Sequence, residues 1–261
     1  MALTLKDLRS SRSSTPARIL IYGPPGLGKT SLAASFPKPV LLKVEDGVPA
    51  GVDIASFDIT SFDGVMEAIS ALYSEEHDFK TVILDTLDRL EPLLWAKLCA
   101  DQKWANIESP GYGKGYALAD SYWREALDGL NALRRDRGMT VVLIAHSSIE
   151  RFDDPQASSY SRYDIRLHKR ASAIVQDEVD AILFVNQDVT IKTEEQGFNK
   201  TRARADGGQT RWIYTEGRPS FTAKNRFGMP ERVLYERGRG FDLIAPYLPG
   251  GTGAQTKKEA A

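Results

Sequence analysis

The chain has 261 residues, 42% of them hydrophobic, which is enough for one α/β domain with a substantial core. Its 34 basic and 35 acidic residues give a formal net charge of −1. This balance excludes a global attraction to nucleic acid or to a membrane surface, so any such binding must come from a local patch. The single cysteine, Cys99, excludes an internal disulfide and a zinc site built from several cysteines.

The two ends of the chain are poor in core-forming residues. We expect a flexible leader over residues 1–16, which has no hydrophobic segment typical of a secretion signal. We expect a flexible tail over 249–261, and one domain between them over 17–248. Since no apolar run approaches the length of a membrane span, the sequence predicts a cytoplasmic protein without membrane association.

A complete phosphate-loop motif, G-x-x-x-x-G-K-[ST], occupies residues 23–30. An apolar strand signal over 17–22 precedes it, and a short helical segment over 31–36 follows and ends at Pro37. A glycine-rich turn that matches by chance is the alternative, and the strand and helix on either side argue against it.

The motif assigns a role to each of its key residues. Gly23, Gly26 and Gly28 let the backbone N–H groups point at phosphate oxygens. Lys29 would reach the β- and γ-phosphates, and the hydroxyl of Thr30 would bind Mg²⁺. We therefore predict that the chain binds ATP and Mg²⁺. The full predicted nucleotide-contact set is Gly23, Pro24, Pro25, Gly26, Leu27, Gly28, Lys29, Thr30 and Ser31.

Strand and helix signals alternate through the first two thirds of the chain. After the first strand, buried strands are predicted at 40–44, 81–85, 140–145 and 181–185, with helices between them. This order predicts a parallel sheet covered by helices on both faces. Short alternating segments at 189–193, 211–214 and 220–223 predict a C-terminal antiparallel β extension of the same α/β fold.

Acidic residues follow two of the predicted strands. Asp85 ends the strand at 81–85 in the Walker B arrangement, where it would hold Mg²⁺ through water. Thr86 stands where many P-loop ATPases carry a catalytic Glu, so Glu45, after the strand at 40–44, is the candidate base for the attacking water. Asp46 is its rival, and an ordinary loop acid remains an alternative for Glu45.

Three further residues lie near these strand ends in the sequence. His146 follows the strand at 140–145, where a polar side chain could sense the γ-phosphate. A hydrogen-bonded structural histidine is the alternative for this position. Asp88 and Glu91 are expected to be solvated positions on the helix after Asp85.

These placements resemble the RecA core rather than AAA+. More narrowly, residues 19–187 resemble the phage nucleotide-binding proteins of RecA-like P-loop ATPase fold that include single-strand-annealing recombinases. The resemblance implies a RecA-like ATPase that hydrolyses ATP, is stimulated by DNA and works as a homo-oligomer, either a ring or a filament. The encoded protein would then act in the host cytoplasm.

The family also implies a catalytic contribution between subunits. Lys224 and Arg226 resemble a K-x-R element that related hexameric helicases insert into a neighbour's ATP site. Here they would stabilise the γ-phosphate of an adjacent subunit. A solvated basic turn is the alternative.

The family carries two DNA-binding loops, which map to residues 102–116 and 147–170. Basic side chains there alternate with aromatic ones, a combination suited to single-stranded DNA. Because acidic residues dilute the second segment, a structural or partner-binding role stays open. The predicted DNA-binding residues are Lys103, Lys114, Arg151, Tyr160, Arg162, Tyr163, Arg166, Lys169 and Arg170.

The sequence thus favours an ATP- and Mg²⁺-dependent ATPase that binds single-stranded DNA and promotes annealing or recombination in a phage. The alternative is a nucleotide-gated loader or adaptor that contacts a replication helicase or a single-strand-binding protein. A small-molecule P-loop kinase is disfavoured, because long polar loops replace a compact substrate lid.

Overall fold

The computed structural model describes residues 15–47, 50–154, 158–196, 200–236 and 239–250. Most of the predicted leader and nearly all of the predicted tail lie outside the described residues.

The described residues form ten strands and six α-helices. The strands are β1 (Arg18–Gly23), β2 (Pro39–Lys43), β3 (Ala55–Asp58), β4 (Thr81–Asp85), β5 (Thr140–Phe152), β6 (Tyr160–Ile165), β7 (Ala181–Gln196), β8 (Lys200–Tyr214), β9 (Lys224–Asn225) and β10 (Arg232–Tyr235). The helices are α1 (Lys29–Ala34), α2 (Phe62–Ser74), α3 (Leu87–Gln102), α4 (Lys114–Asp136), α5 (Lys169–Glu178) and α6 (Gly240–Ile244), with a 3-10 turn at Ala245–Tyr247. None of the described helices is long and apolar enough to cross a membrane.

The strands form one sheet in the order β10-β8-β7-β1-β5-β4-β2-β3. From β7 to β3 all neighbours are parallel, whereas β8 and β10 extend the sheet in antiparallel fashion beyond β7. Two further strands pair antiparallel, β6 with β5 and β9 with β7. The predicted fold class, a mostly parallel sheet with a C-terminal antiparallel extension, is confirmed.

Helices cover the sheet on both faces, which explains why its central strands are continuously apolar. Along β1, Leu20 and Tyr22 point into a core built with α2 to α5, whereas Ile19 and Ile21 point into a second core with α1 and α6. Successive side chains of a strand alternate between the faces, so every residue of this strand interior is buried. The loops at the carboxyl ends of the strands are therefore attached to a sheet that is packed on both faces.

The strand register brings the predicted site residues to one edge of the sheet. Gly23 at the end of β1 lies opposite His146 on β5, and Asp85 at the end of β4 lies beside Lys43 at the end of β2. Because the carboxyl ends of parallel strands share one edge, the segments that follow them converge there.

Three features of the fold differ from the sequence prediction. Strand β3 was not predicted, because its four residues are all exposed and it lacks an alternating apolar pattern. The predicted strand at 220–223 forms only isolated bridges at Phe221, and β10 provides the antiparallel edge instead. The segment 147–170, predicted as a loop, is largely the hairpin of β5 and β6 followed by the first turn of α5.

Candidate functional site

The phosphate loop connects β1 to α1 and depends on glycine at both of its ends. A Cβ at Gly23 would lie 2.1 Å from the carbonyl oxygen of Val185 on β7, so no larger residue fits there. Gly28 caps α1 with φ of 93°, a left-handed conformation that favours glycine. The loop is thus closely packed at its start and sharply turned at its end.

The ammonium group of Lys29 is held inside this loop. Its side chain is buried, and Nζ donates to the carbonyl oxygens of Gly23 and Pro24, each at 3.0 Å. Burial lowers the pKa of Lys29 to about 8, against the opposing influence of Asp85. A bound phosphate group would supply the negative charge that this partly desolvated cation lacks.

Thr30 and Asp85 supply the oxygen donors expected of a magnesium site. The Thr30 hydroxyl donates to Asp85 Oδ2 at 2.7 Å, and the Asp85 carboxyl group is buried. Burial raises the pKa of Asp85, although the hydrogen bond from Thr30 opposes that effect. Mg²⁺ prefers a few protein oxygens together with phosphate oxygens and water, so these two residues fit it. Within the described residues, no group of three or more His, Cys, Asp or Glu could hold a metal ion.

Glu45 lies just beyond β2 and faces the same cavity. Its Oε2 accepts a hydrogen bond of 3.2 Å from the Thr86 hydroxyl, which follows β4. Asp46 also lines the cavity but is more exposed. The contact with Thr86 orients Glu45 from the neighbouring strand and favours it over Asp46 as the base.

His146 belongs to a three-residue cluster that the sequence prediction did not foresee. Its backbone N–H donates to Asp88 Oδ1 at 2.9 Å, and its Nδ1 lies 3.1 Å from Asp88 Oδ2. Arg166 hydrogen-bonds the same carboxylate oxygen and lies 3.2 Å from His146 Nδ1. Arg166, predicted to bind DNA, therefore lies beside the nucleotide site.

The prediction that Asp88 and Glu91 are solvated was wrong. The Asp88 side chain is only 4% exposed, and Glu91 is buried. Burial raises the pKa of Asp88, but hydrogen bonds from His146 and Arg166 outweigh it and hold the pKa below its usual range. The two carboxyl oxygens of Glu91 share the His168 backbone N–H as a bifurcated hydrogen bond, at 3.1 and 3.0 Å, and burial raises the pKa of Glu91 to about 7.

One cavity of about 390 Å³ is lined by six of the nine predicted nucleotide-contact residues, but not by Gly23, Pro24 or Leu27. Its lining includes Gly28, Lys29, Thr30, Glu45, Asp85 and His146. A second cavity of about 350 Å³ also contacts Ser31 and extends along α1 to Ser35 and Asp53. The two cavities share Ser31 in their linings, so they lie next to each other at the start of α1.

Lys224 and Arg226 lie beside the amino-terminal end of β7, whereas the nucleotide cavity lies at the carboxyl ends of the parallel strands. Strand β9 pairs with the first residues of β7, so Lys224 is next to Ile182, which pairs with Leu20 and not with the end of β1 that leads into the phosphate loop. Lys224 Nζ donates to the Gln176 carbonyl at 2.7 Å, and Arg226 lies 3.5 Å from Asp180. The structure does not bring either residue to the nucleotide cavity of the same chain.

The first predicted DNA segment joins α3 to α4 and carries exposed residues. Lys103 and Lys114 are exposed, and Tyr112 is fully exposed. Tyr116 instead stacks on the His168 ring with 4.2 Å between centroids. This contact ties the segment to the start of α5.

In the second predicted DNA segment, four arginines are paired with carboxylates. Besides the pair of Arg166 and Asp88, the ion pairs are Arg151 with Asp153, Arg162 with Asp164 and Arg170 with Asp120. The rings of Tyr160 and Tyr163 pack against Phe152 and Phe184 at 5.5 and 5.3 Å between centroids. Lys169 is exposed at the start of α5. The basic character of this hairpin is therefore largely compensated.

Known proteins extend this picture at the level of family. No curated protein matches the chain. Among solved structures, the RadB recombinase is similar at 14% identity over 84% of this chain and 86% of that chain, with a TM-score of 0.47. Residues 15–227 match a family model described as an AAA domain, AAA_24, a description that does not include the phage origin or annealing activity implied by the resemblance. This match spans most of the chain and contains the whole phosphate loop. The chain therefore belongs to the AAA_24 family of AAA domains, a family of P-loop ATPases.

Proposed function

We propose that the chain binds ATP with Mg²⁺ and hydrolyses it to ADP and phosphate. The observation that carries this proposal is the convergence of Lys29, Thr30, Glu45, Asp85 and His146 on one cavity at the carboxyl edge of the sheet. Each has the chemistry that one part of phosphoryl transfer to water requires.

Each residue of this cavity has its own role in ATP hydrolysis. The loop N–H groups and Lys29 bind the phosphates, and Thr30 and Asp85 hold Mg²⁺, which neutralises charge on the β- and γ-phosphates when it is bound. Glu45, oriented by its hydrogen bond from Thr86, accepts a proton from the attacking water. His146, which lines the same cavity, lies beside the terminal phosphate.

The second cavity offers a place for the nucleoside. It adjoins the phosphate site at Ser31, and its polar groups include Ser35 and Asp53. A nucleotide with its phosphates at Lys29 would extend its sugar and base along α1 into this space. Such pockets are mainly apolar with a few polar groups that set specificity.

We further propose that the protein binds single-stranded DNA and couples ATP hydrolysis to DNA annealing or recombination in a phage. Lys103, Tyr112 and Lys114 support it, because they are exposed on one connection and combine two cations with a ring. Assembly into a ring or filament would place Lys224 and Arg226 of one subunit near the nucleotide of the next.

A loader or adaptor is the second candidate, and the hairpin of β5 and β6 favours it. The arginines on that hairpin have carboxylate partners, and Ile149 is 67% exposed on it. A compensated surface with an exposed apolar side chain suits a protein partner, such as a helicase or a single-strand-binding protein, better than a phosphate backbone.

The rate of ATP hydrolysis with and without single-stranded DNA separates these functions. The DNA-coupled ATPase should turn over ATP faster when DNA is added at low salt. If single-stranded DNA neither binds to the protein nor raises its ATPase rate, the loader or adaptor function is favoured instead. Absence of turnover and of ATP binding under all conditions would overturn the proposed function as a whole.

A further inference from the structure

Arg166 lies at the nucleotide site because of the backbone as well as its side chain. It directly follows β6, and its backbone N–H donates to the His146 carbonyl at 2.9 Å. The end of the hairpin is therefore attached to the residue that lines the phosphate cavity. From this position the guanidinium group reaches Asp88.

The proton on the His146 ring follows from these contacts. Nδ1 lies 3.1 Å from Asp88 Oδ2 and 3.2 Å from the Arg166 guanidinium, and it cannot donate to one and accept from the other at once. A carboxylate is a much stronger acceptor than an imidazole nitrogen, so Nδ1 carries the proton and donates to Asp88. Arg166 then donates to Asp88 as well. This leaves Nε2 as the ring nitrogen available to the cavity.

We propose that Asp88 and Arg166 are positioning residues for ATP hydrolysis, which hold the His146 ring and its Nδ1 proton so that Nε2, a hydrogen-bond acceptor in this tautomer, faces the water that attacks the terminal phosphate. This inference rests on the proposed ATPase function. It moves Arg166 from the DNA-binding set to the nucleotide site.

Each of the two residues is needed for a different reason. Asp88 sets the orientation of the ring, because it accepts from both the backbone and the side chain of His146. A buried carboxylate near the γ-phosphate would repel it, and Arg166 compensates that charge. Arg166 also connects the nucleotide site to the β5 and β6 hairpin, so a change in the hairpin can alter the His146 position.

Steady-state kinetics of Arg166→Ala, Arg166→Lys and Asp88→Asn test the positioning role. We expect Arg166→Ala and Asp88→Asn to lower kcat by roughly tenfold to a hundredfold with little change in KM, because the reacting geometry is lost while phosphate binding by the loop remains. Arg166→Lys should recover part of the loss. Arg218→Ala is the matched control, since it removes an exposed ion pair with Glu231 and should leave kcat unchanged.

A spectroscopic measurement tests the same inference without turnover. The chain has three histidines, so ring ¹⁵N signals of histidine-labelled protein can be assigned with His146→Gln. We expect the wild-type signal of His146 to show a protonated Nδ1, and expect Arg166→Ala and Asp88→Asn to shift it while His77 stays unchanged.

Different results would overturn the positioning role and the proposed ATPase function. Unchanged His146 signals together with unchanged kcat in both variants would overturn the positioning role. Arg166→Ala that loses only affinity for single-stranded DNA would return the residue to the DNA-binding set and overturn it also. Wild-type protein without ATPase activity would overturn the proposed function, and the ¹⁵N signals would then still decide whether Asp88 and Arg166 fix the ring.

Discussion

The Thr30 hydroxyl donates to Asp85 Oδ2 at 2.7 Å, which joins the phosphate loop to the end of β4. Strand β5 lies between β1 and β4, so the contact links the loop after β1 to the end of a strand that is not its neighbour in the sheet. Two residues far apart in the chain thus become a single oxygen-rich position beside Lys29. This relationship is the structural basis on which we propose a magnesium site here.

Asp85→Asn should remove magnesium-dependent hydrolysis. The amide keeps the shape and the hydrogen bond from Thr30 but loses the negative charge that attracts the cation. We expect kcat to fall by at least about a hundredfold, as for loss of a major electrostatic contribution to the transition state. A magnesium titration of the ATPase rate checks this. The same rate and the same magnesium dependence in wild type and variant would contradict the assignment.

Glu45→Gln should bind ATP with near-normal affinity and fail to hydrolyse it. The amide keeps the contact with Thr86 but cannot accept the proton of the attacking water. Binding of a fluorescent ATP analogue and phosphate release measure the two properties separately. Asp46→Asn is the matched control and should retain hydrolysis. If Asp46→Asn is inactive and Glu45→Gln is active, the base is Asp46.

Glu91→Gln should stabilise the protein at alkaline pH more than at acidic pH. The pKa of Glu91 is raised from 4.5 to about 7 because its carboxyl group is buried. The folded state thus binds this proton more strongly, so its contribution is present below about pH 4.5 and is lost as pH rises through about 7. The variant, which cannot ionise, should gain up to about 3 kcal/mol relative to wild type across that window. Equal differences in Tm at pH 5 and pH 8 would contradict this origin.

Mixing two inactive variants tests whether Lys224 and Arg226 act on a neighbouring subunit. Lys29→Ala lacks the phosphate-binding charge, and Arg226→Ala lacks the guanidinium that lies beside the amino-terminal end of β7. Mixed assemblies would contain some sites with both parts intact and should regain part of the ATPase rate. No recovery at any ratio, despite demonstrated co-assembly, would favour a structural role for the contacts with Gln176 and Asp180.

Exposed residues between α3 and α4 should carry the contacts with single-stranded DNA. Replacing Lys103 and Lys114 by alanine should weaken binding to all sequences and lower the slope of log affinity against log salt by roughly 0.7 for each lost phosphate contact. Tyr112→Ala should cost about 1–3 kcal/mol and leave that slope nearly unchanged. Fluorescence anisotropy over a salt series distinguishes the two. Unaltered affinity in both variants would remove this segment from the interface.

Much of the site could be predicted because parallel strands bring their carboxyl ends together. Once the strands after Lys29 were recognised from apolar runs, Glu45, Asp85 and His146 had to lie near the phosphate loop, and they line its cavity. The alternating order of strands and helices likewise predicted the parallel sheet. Here local patterns and topology were sufficient.

The remaining features depend on contacts that no local pattern records. Asp88 and Arg166 are 78 residues apart and meet only because β6 returns alongside β5. Strand β3 is recognisable only from its pairing with β2, since its residues are exposed. The compensation of Arg162 by Asp164 also depends on side-chain placement within the hairpin, whereas the sequence showed only that acids were nearby.

The release of phosphate from ATP in the presence of Mg²⁺, by wild type and by Lys29→Ala, tests the central claim most directly. Lys29 is held in the phosphate loop by the carbonyls of Gly23 and Pro24, and its removal takes away the charge that meets the β- and γ-phosphates. We predict turnover by the wild type and a loss of at least about a hundredfold in the variant. Equal turnover by both proteins, or no turnover by the wild type with Mg²⁺ and single-stranded DNA present, would contradict an ATPase built on this site.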